Sequence, residues 1–142
     1  IVQCLVGSEM CIRDSLKPSL AAKKFVICDR YYDATEAYQC YGKGLSHDFF
    51  KSLNKVCNLS IPEITFYIDI TSEISKERIS NRERDRMEAE EIDFFNKVRE
   101  GYLKIAEENR ERIYKINGID TIENIHKRIL EHVGEKIGSS LG

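Results

Sequence analysis

Residues 25–45 read FVICDRYYDATEAYQCYGKGL. The run Phe25-Val26-Ile27-Cys28 is short, continuous and apolar, and Asp29-Arg30 closes it at once. Strict alternation would mark a strand with one wet face. An unbroken apolar run predicts a strand buried on both faces, the habit of parallel sheets. Polar residues directly after such a strand fall where open α/β sheets take their ligands, beyond the strands' carboxyl ends. A guanidinium there can hold a phosphate through two parallel hydrogen bonds, and Asp29 can orient it or approach a metal. By itself, the Asp29-Arg30 pair fits a structural ion pair better. Farther along, Ala37-Tyr38-Gln39 precedes Gly42-Lys43-Gly44. Gln39 carries both a donor and an acceptor, which suits a pyrimidine edge, while Tyr38 offers a flat wall and one hydroxyl. The two glycines permit a tight turn. A helix end followed by a surface loop is the plain alternative.

Outward from this block, residues 16–24 (LKPSLAAKK) read as a helix end, with Lys23 and Lys24 suited to a helix C-terminus. Residues 46–57 read as a helix capped by Ser46, with Asp48 in its first turn. Residues 64–70 (ITFYIDI) predict a second buried strand, and a helix is expected over 72–82. A long helix is expected over 91–109, with Ile92, Phe95, Val98, Tyr102 and Ile105 on its core face. Residues 112–116 (RIYKI) predict a third strand, ending in Asn117-Gly118. The last helix is expected from Asp120, with Asp120 and Glu123 as a capping box and an apolar stripe from Ile122 through Ile125, Ile129 and Val133 to Ile137. Strands alternating with helices predict a parallel α/β sheet with right-handed crossovers. Asp29-Arg30 and Asn117-Gly118 then lie at strand ends, and Asp69 falls near one.

Composition narrows the partners. With 142 residues the chain can bury one core but not two. A net charge of −2 argues against a nucleic acid polymer, which would call for a basic excess, yet leaves room for a nucleotide monomer. No apolar run approaches the roughly 20 residues needed to span a bilayer. The five cysteines include no C-x-x-C pair, so neither a zinc site nor a disulfide framework is expected. The scattered histidines are given no catalytic role. Residues 1–15 (IVQCLVGSEMCIRDS) are set apart from the fold: the stretch CLVGSEMCIRDS resembles a translated sequencing adapter. The expected organisation is a non-native leader over 1–15, part of a single domain over 16–137, and a tail over 138–142.

Residues 78–90 carry Arg78, Arg82, Arg84 and Arg86 among Glu83, Asp85, Glu88 and Glu90. By composition this is a solvated helix face. Order and spacing argue otherwise. The succession FVICDRYYDATEAYQCYGKGL, PEITFYIDI, RISNRERDRMEAEEIDFFNKVREGYLKIA and RIYKINGIDTIENI, from about Leu16 to Val133, resembles the thymidylate kinases. The family's DRY-x-D-S-x-x-AYQ-G-Y-G-R-G-L block and its lid sequence DR-I-E carry the resemblance.

That resemblance implies a nucleoside monophosphate kinase: a P-loop NTPase-like parallel sheet with flanking helices, transferring phosphate from ATP to dTMP with Mg²⁺. Arg30 would bind the dTMP phosphate, steadied by Asp29. Thr35 and Gln39 would face the thymine, and Tyr38 would wall the sugar. Arg82 and Arg86 would be lid arginines reaching the ATP phosphates, with Asp29 and Glu88 near the metal and Asn117-Gly118 by the adenine. The family is cytoplasmic and usually homodimeric. Three departures stand out: Ala34 replaces a serine, Asn117 stands where an aspartate is usual, and the lid is one residue short. The chain also has no G-x-x-x-x-G-K-[ST] loop, whose backbone amides, Lys and Ser/Thr cradle phosphates and metal. The first strand and P-loop are therefore expected to be missing, the remaining strands to flank the gap, and this chain itself to be inactive. The alternatives are another nucleoside or nucleotide kinase of the same fold, or a non-catalytic α/β binding module.

Overall fold

The computed structural model describes residues 2–5, 16–80 and 89–140, arranged as two compact units, Ile1–Ile61 and Pro62–Gly142. Each unit holds one parallel two-stranded sheet.

In the first unit, β1 (Val2–Leu5) pairs in parallel with β2 (Val26–Asp29), Val2 opposite Val26 and Leu5 opposite Asp29. The segment set apart on sequence grounds thus includes a strand. Between the two strands lies a short helix, α1 (Lys17–Ala21), which starts with a proline in its first turn, where a missing N–H costs nothing. Past its C-cap at Ala22, Lys23 adopts a left-handed conformation at φ 55° and turns the chain toward β2. Strand β2 departs from the expected double burial: Ile27 is 60% exposed, and Phe25 just before it 65%. An apolar run announces what a strand can bury, not whether neighbours cover it. The chain continues through α2 (Tyr32–Glu36), a π-helix (Ala37–Gly42) and α3 (His47–Cys57). Ser46 caps α3 as expected, its Oγ accepting from the Phe49 N–H at 3.4 Å. Ala37, Cys40 and Phe50 are buried.

In the second unit, β3 (Thr65–Asp69) and β4 (Ile113–Asn117) pair in parallel, Thr65 opposite Ile113 and Asp69 opposite Asn117. Helices α4 (Ser72–Ser80) and α5 (Ala89–Glu108) lie between them in sequence, and α6 (Ile122–Ser140) follows. The core gathers Val98, Ile105 and Ala106 of α5 with Ile113 and Ile116 of β4. Of the expected α5 face, Phe95 is exposed. On α6, Ile122 is exposed, while Ile125, Ile129 and Val133 are partly buried. The capping of α6 also differs from expectation. Thr121 takes the capping place expected of Asp120: its Oγ1 accepts the Asn124 N–H at 3.2 Å, while Asp120 Oδ1 accepts the Asn124 side-chain amide at 2.7 Å. The helix runs to Ser140, past residue 138, the expected start of the tail. The α/β class with parallel pairing stands; among the described residues, β1 pairs with β2 in the first unit and β3 with β4 in the second.

Candidate functional site

Two sets of polar residues collect at strand ends, one in each unit. In the first, Asp29 is the last residue of β2 and Arg30 follows directly. Arg30 has φ 52°, a left-handed conformation that a non-glycine residue adopts at a cost and that clusters at functional positions. Both side chains are exposed. The turn at Arg30 starts α2 and brings the guanidinium over the Tyr38 ring, Cζ 5.8 Å from its centroid. This is cation–π distance. Thus Arg30 and the Ala37-Tyr38-Gln39 block, separated in sequence by α2, meet in space.

Thr35 donates its hydroxyl to the Tyr31 carbonyl at 3.0 Å, so that proton serves α2's own backbone. Asp33 is buried within the same helix. The π-helix then widens the turn under Tyr38 and Gln39. Three backbone bonds fold the following loop against it: Lys43 N–H to Tyr38 O at 3.1 Å, Gly44 N–H to Cys40 O at 3.0 Å, and Leu45 N–H to Gln39 O at 2.9 Å. Gly44 has φ 75°, which is why a glycine sits there. Burial raises the Cys28 thiol pKa, and burial followed by the Glu36 charge raises that of Cys40, so both stay protonated near neutrality.

In the second unit, Asp69 ends β3 opposite Asn117, which ends β4. Asn117 Oδ1 accepts the Ile119 N–H at 3.1 Å and shapes the turn. Gly118 donates its N–H to the Asp69 carbonyl at 2.9 Å. A Cβ at Gly118 would strike Ile70 Cγ2 and come within 2.8 Å of Ile68 Cγ2 and 3.0 Å of the Asp69 carbonyl oxygen. Only glycine lets the two strand ends approach this closely.

The Asp69 carboxylate, which the sequence places near a strand end, is a hub in the structure. Arg99 of α5 grips both of its oxygens, Nε to Oδ1 at 2.7 Å and Nη2 to Oδ2 at 3.0 Å, and the Tyr67 hydroxyl adds a bond at 3.0 Å. Tyr67 in turn stacks on Tyr102, centroids 4.7 Å apart. Burial alone would raise the Asp69 pKa, but the Arg99 and Tyr67 hydrogen bonds and the Arg99 charge outweigh it and hold the carboxyl below its ordinary range. Burial, then the Asp69 charge, push the Tyr67 phenol well above its ordinary value. Tyr67 and Asp69, two apart on a strand, share a face by pleat alone. Arg99, 30 residues on, carries no such signal. The expected lid residues Arg82 and Arg86, and Glu88, lie outside the described residues.

Two parallel strand pairs with polar residues at their carboxyl ends define an α/β protein. The pattern of the thymidylate kinase family matches residues 8–129. A thymidylate kinase of Sulfurihydrogenibium sp. (strain YO3AOP1) is 42% identical over 126 residues, 88% of this chain and 61% of its own length. One from Thermoanaerobacter sp. (strain X514) is 37% identical over 86% of this chain and 61% of its own. The crystal structure of thymidylate kinase from Ehrlichia chaffeensis superimposes with a TM-score of 0.68 at 31% identity, covering 88% of this chain and 59% of that one. This chain belongs to the thymidylate kinase family. It spans about three fifths of the length of the curated relatives it matches. The matched stretch begins at residue 8, inside the segment set apart on sequence grounds.

Proposed function

We propose that the whole protein to which this chain belongs phosphorylates dTMP to dTDP with ATP, by direct transfer and without a covalent intermediate. The observation that carries the reading is the meeting of Arg30 with Tyr38 at the carboxyl end of β2. A planar cation beside an aromatic wall and the Gln39 amide matches a phosphate, a sugar and a base edge in that order. Arg30 holds the acceptor phosphate, Tyr38 flanks the deoxyribose, and Thr35 and Gln39 face the thymine. Asn117-Gly118 lies by the adenine, with the exposed Asn117 side chain toward the base and the buried Gly118 holding the two strand ends together.

Mg²⁺ takes oxygen ligands and is usually held by one or two carboxylates together with substrate phosphates. Asp29, an exposed carboxylate at the strand end, fits that pattern, with Glu88 as its partner. When bound, the ion neutralises charge on the phosphates. Arg82 and Arg86 serve as lid cations over the transferring phosphoryl. The working protein is a cytoplasmic homodimer with no polymeric nucleic acid and no membrane as partner; family membership supports this part of the reading. Among the described residues, no helix is long and apolar enough to cross a membrane. Lacking a G-x-x-x-x-G-K-[ST] loop, the 142-residue chain does not catalyse the transfer by itself.

The test uses the chain completed at its amino end to the length of its relatives. It should convert dTMP and ATP to dTDP, and Arg30→Ala should lower kcat/KM for dTMP by about 30-fold or more, the scale of a lost charge-assisted phosphate contact. KM for ATP should hold. A completed enzyme that prefers another nucleoside monophosphate, or an Arg30→Ala variant of unchanged kcat/KM, refutes the assignment.

A further inference from the structure

The segment between α2 and α3 is closed by a contact that neither strand geometry nor the family motif requires. Glu36 is the last residue of α2 and His47 the first of α3. His47 Nδ1 lies 3.3 Å from Glu36 Oε1. A carboxylate only accepts, so the imidazole Nδ1 carries the proton and donates. The Glu36 side chain is 15% exposed and that of His47 41%, so the contact is partly withdrawn from water. The Tyr41 ring meets the His47 ring edge-on, centroids 4.8 Å apart and planes at 72°. The imidazole is therefore held on two sides, by a carboxylate from before the π-helix and by a ring from within it.

Everything enclosed by this contact belongs to the acceptor block: Ala37, Tyr38, Gln39, and the Gly42-Lys43-Gly44 turn. A π-helix is rare, is used in single turns, and concentrates at functional sites, because only surrounding contacts keep it from relaxing to an α-helix. Here the backbone supplies three bonds from the loop, onto Tyr38, Gln39 and Cys40. The Glu36–His47 contact pins the two ends that those bonds must span.

We propose that Glu36 and His47 form a clasp that positions Tyr38 and Gln39 for the pyrimidine nucleotide, so that this pair, touching no substrate itself, sets affinity for the acceptor. The clasp's effect on affinity rests on the acceptor role proposed for Gln39 and Tyr38. Both positions fall outside the residues that the family motif specifies.

Two measurements separate the clasp from the proposed function. On the 142-residue chain, hydrogen exchange at the Lys43, Gly44 and Leu45 amides is compared between the parent, Glu36→Gln and His47→Phe. Phenylalanine keeps a ring against Tyr41 and removes the donor. Exchange at these three amides should quicken about fivefold to tenfold, the worth of one lost hydrogen bond, with the β3–β4 amides unchanged. Equal exchange in all three proteins overturns the clasp. On the amino-terminally completed enzyme, His47→Phe and Glu36→Gln should each raise KM for dTMP by about fivefold, with kcat and KM for ATP held. The exchanged pair Glu36→His with His47→Glu should recover most of the loss. A uniform fall in kcat without a change in KM for dTMP would make the contact merely structural and overturn the positioning role. A parent that makes no dTDP refutes the proposed function, and exchange alone then decides whether the clasp exists.

Discussion

Gly118 shows how a single missing side chain shapes a strand end. Its Cβ position is occupied on three sides, and one neighbour, the Asp69 carbonyl, is backbone that cannot rotate away. Gly118→Ala should therefore destabilise the second unit by about 1–3 kcal/mol, as overpacking does. Gly134→Ala on α6, where nothing lies within 4 Å, serves as the control and should stabilise slightly through helix propensity. Chemical denaturation of both variants checks this; equal stability at position 118 would mean that the strand ends can part. Arg82 and Arg86 pose a residue-scale question of another kind, because mixed charge around them fits a solvated face equally well. In the completed enzyme, Arg82→Ala and Arg86→Ala should each lower kcat at saturating substrates by at least about tenfold while dTMP affinity changes little, the mark of contacts made in the transition state. Near-parental kcat in both would return the run to the solvated-face reading.

At the scale of elements, the Asp69–Arg99 pair ties α5 to the end of β3. It is bidentate and half withdrawn from water, the side chains being 14% and 35% exposed. Arg99→Met would leave the Asp69 carboxylate with the Tyr67 hydroxyl still donating to it and should cost roughly 2 kcal/mol, typical of a hydrogen bond to a charged group. The pH dependence has a definite sign. The Asp69 pKa is lowered by folding, so its contribution is present above the ordinary carboxyl range and is lost as pH falls below it. The Tyr67 pKa is raised by folding, so its contribution is present below the ordinary phenol pKa of 10 and is lost as pH climbs above that value. Thermal melts between about pH 2 and pH 11 on the parent and Arg99→Met should converge in acid; parallel curves would contradict the linkage.

For the whole molecule, two features act together. The first unit leaves Phe25 and Ile27 exposed on and beside β2, an apolar patch of the kind that drives association. The 142-residue chain should self-associate, and Phe25→Thr with Ile27→Thr should reduce the association. Light scattering over a concentration series reads this directly; a monodisperse parent would contradict it. The chain should also bind ATP·Mg²⁺ weakly, since its sequence contains no G-x-x-x-x-G-K-[ST] motif, and saturable micromolar binding by calorimetry would overturn that expectation.

Much of the fold is legible in the sequence because it depends on neighbours along the chain. The apolar runs at 26–28 and 66–68 locate two strands, Ser46 locates a helix start, and the polar residues closing each run fall at the strands' carboxyl ends. Family membership follows from the order of those blocks. What needs the tertiary structure depends on neighbours in space. Arg99 finds Asp69 from 30 residues away, His47 closes on Glu36 across a π-helix that no hydrophobic period announces, and Thr121 takes the place of Asp120 as the cap of α6. The exposure of Ile27 belongs to the same group. Hydrophobicity states what a side chain gains when covered, whereas coverage is decided by whichever elements pack against it.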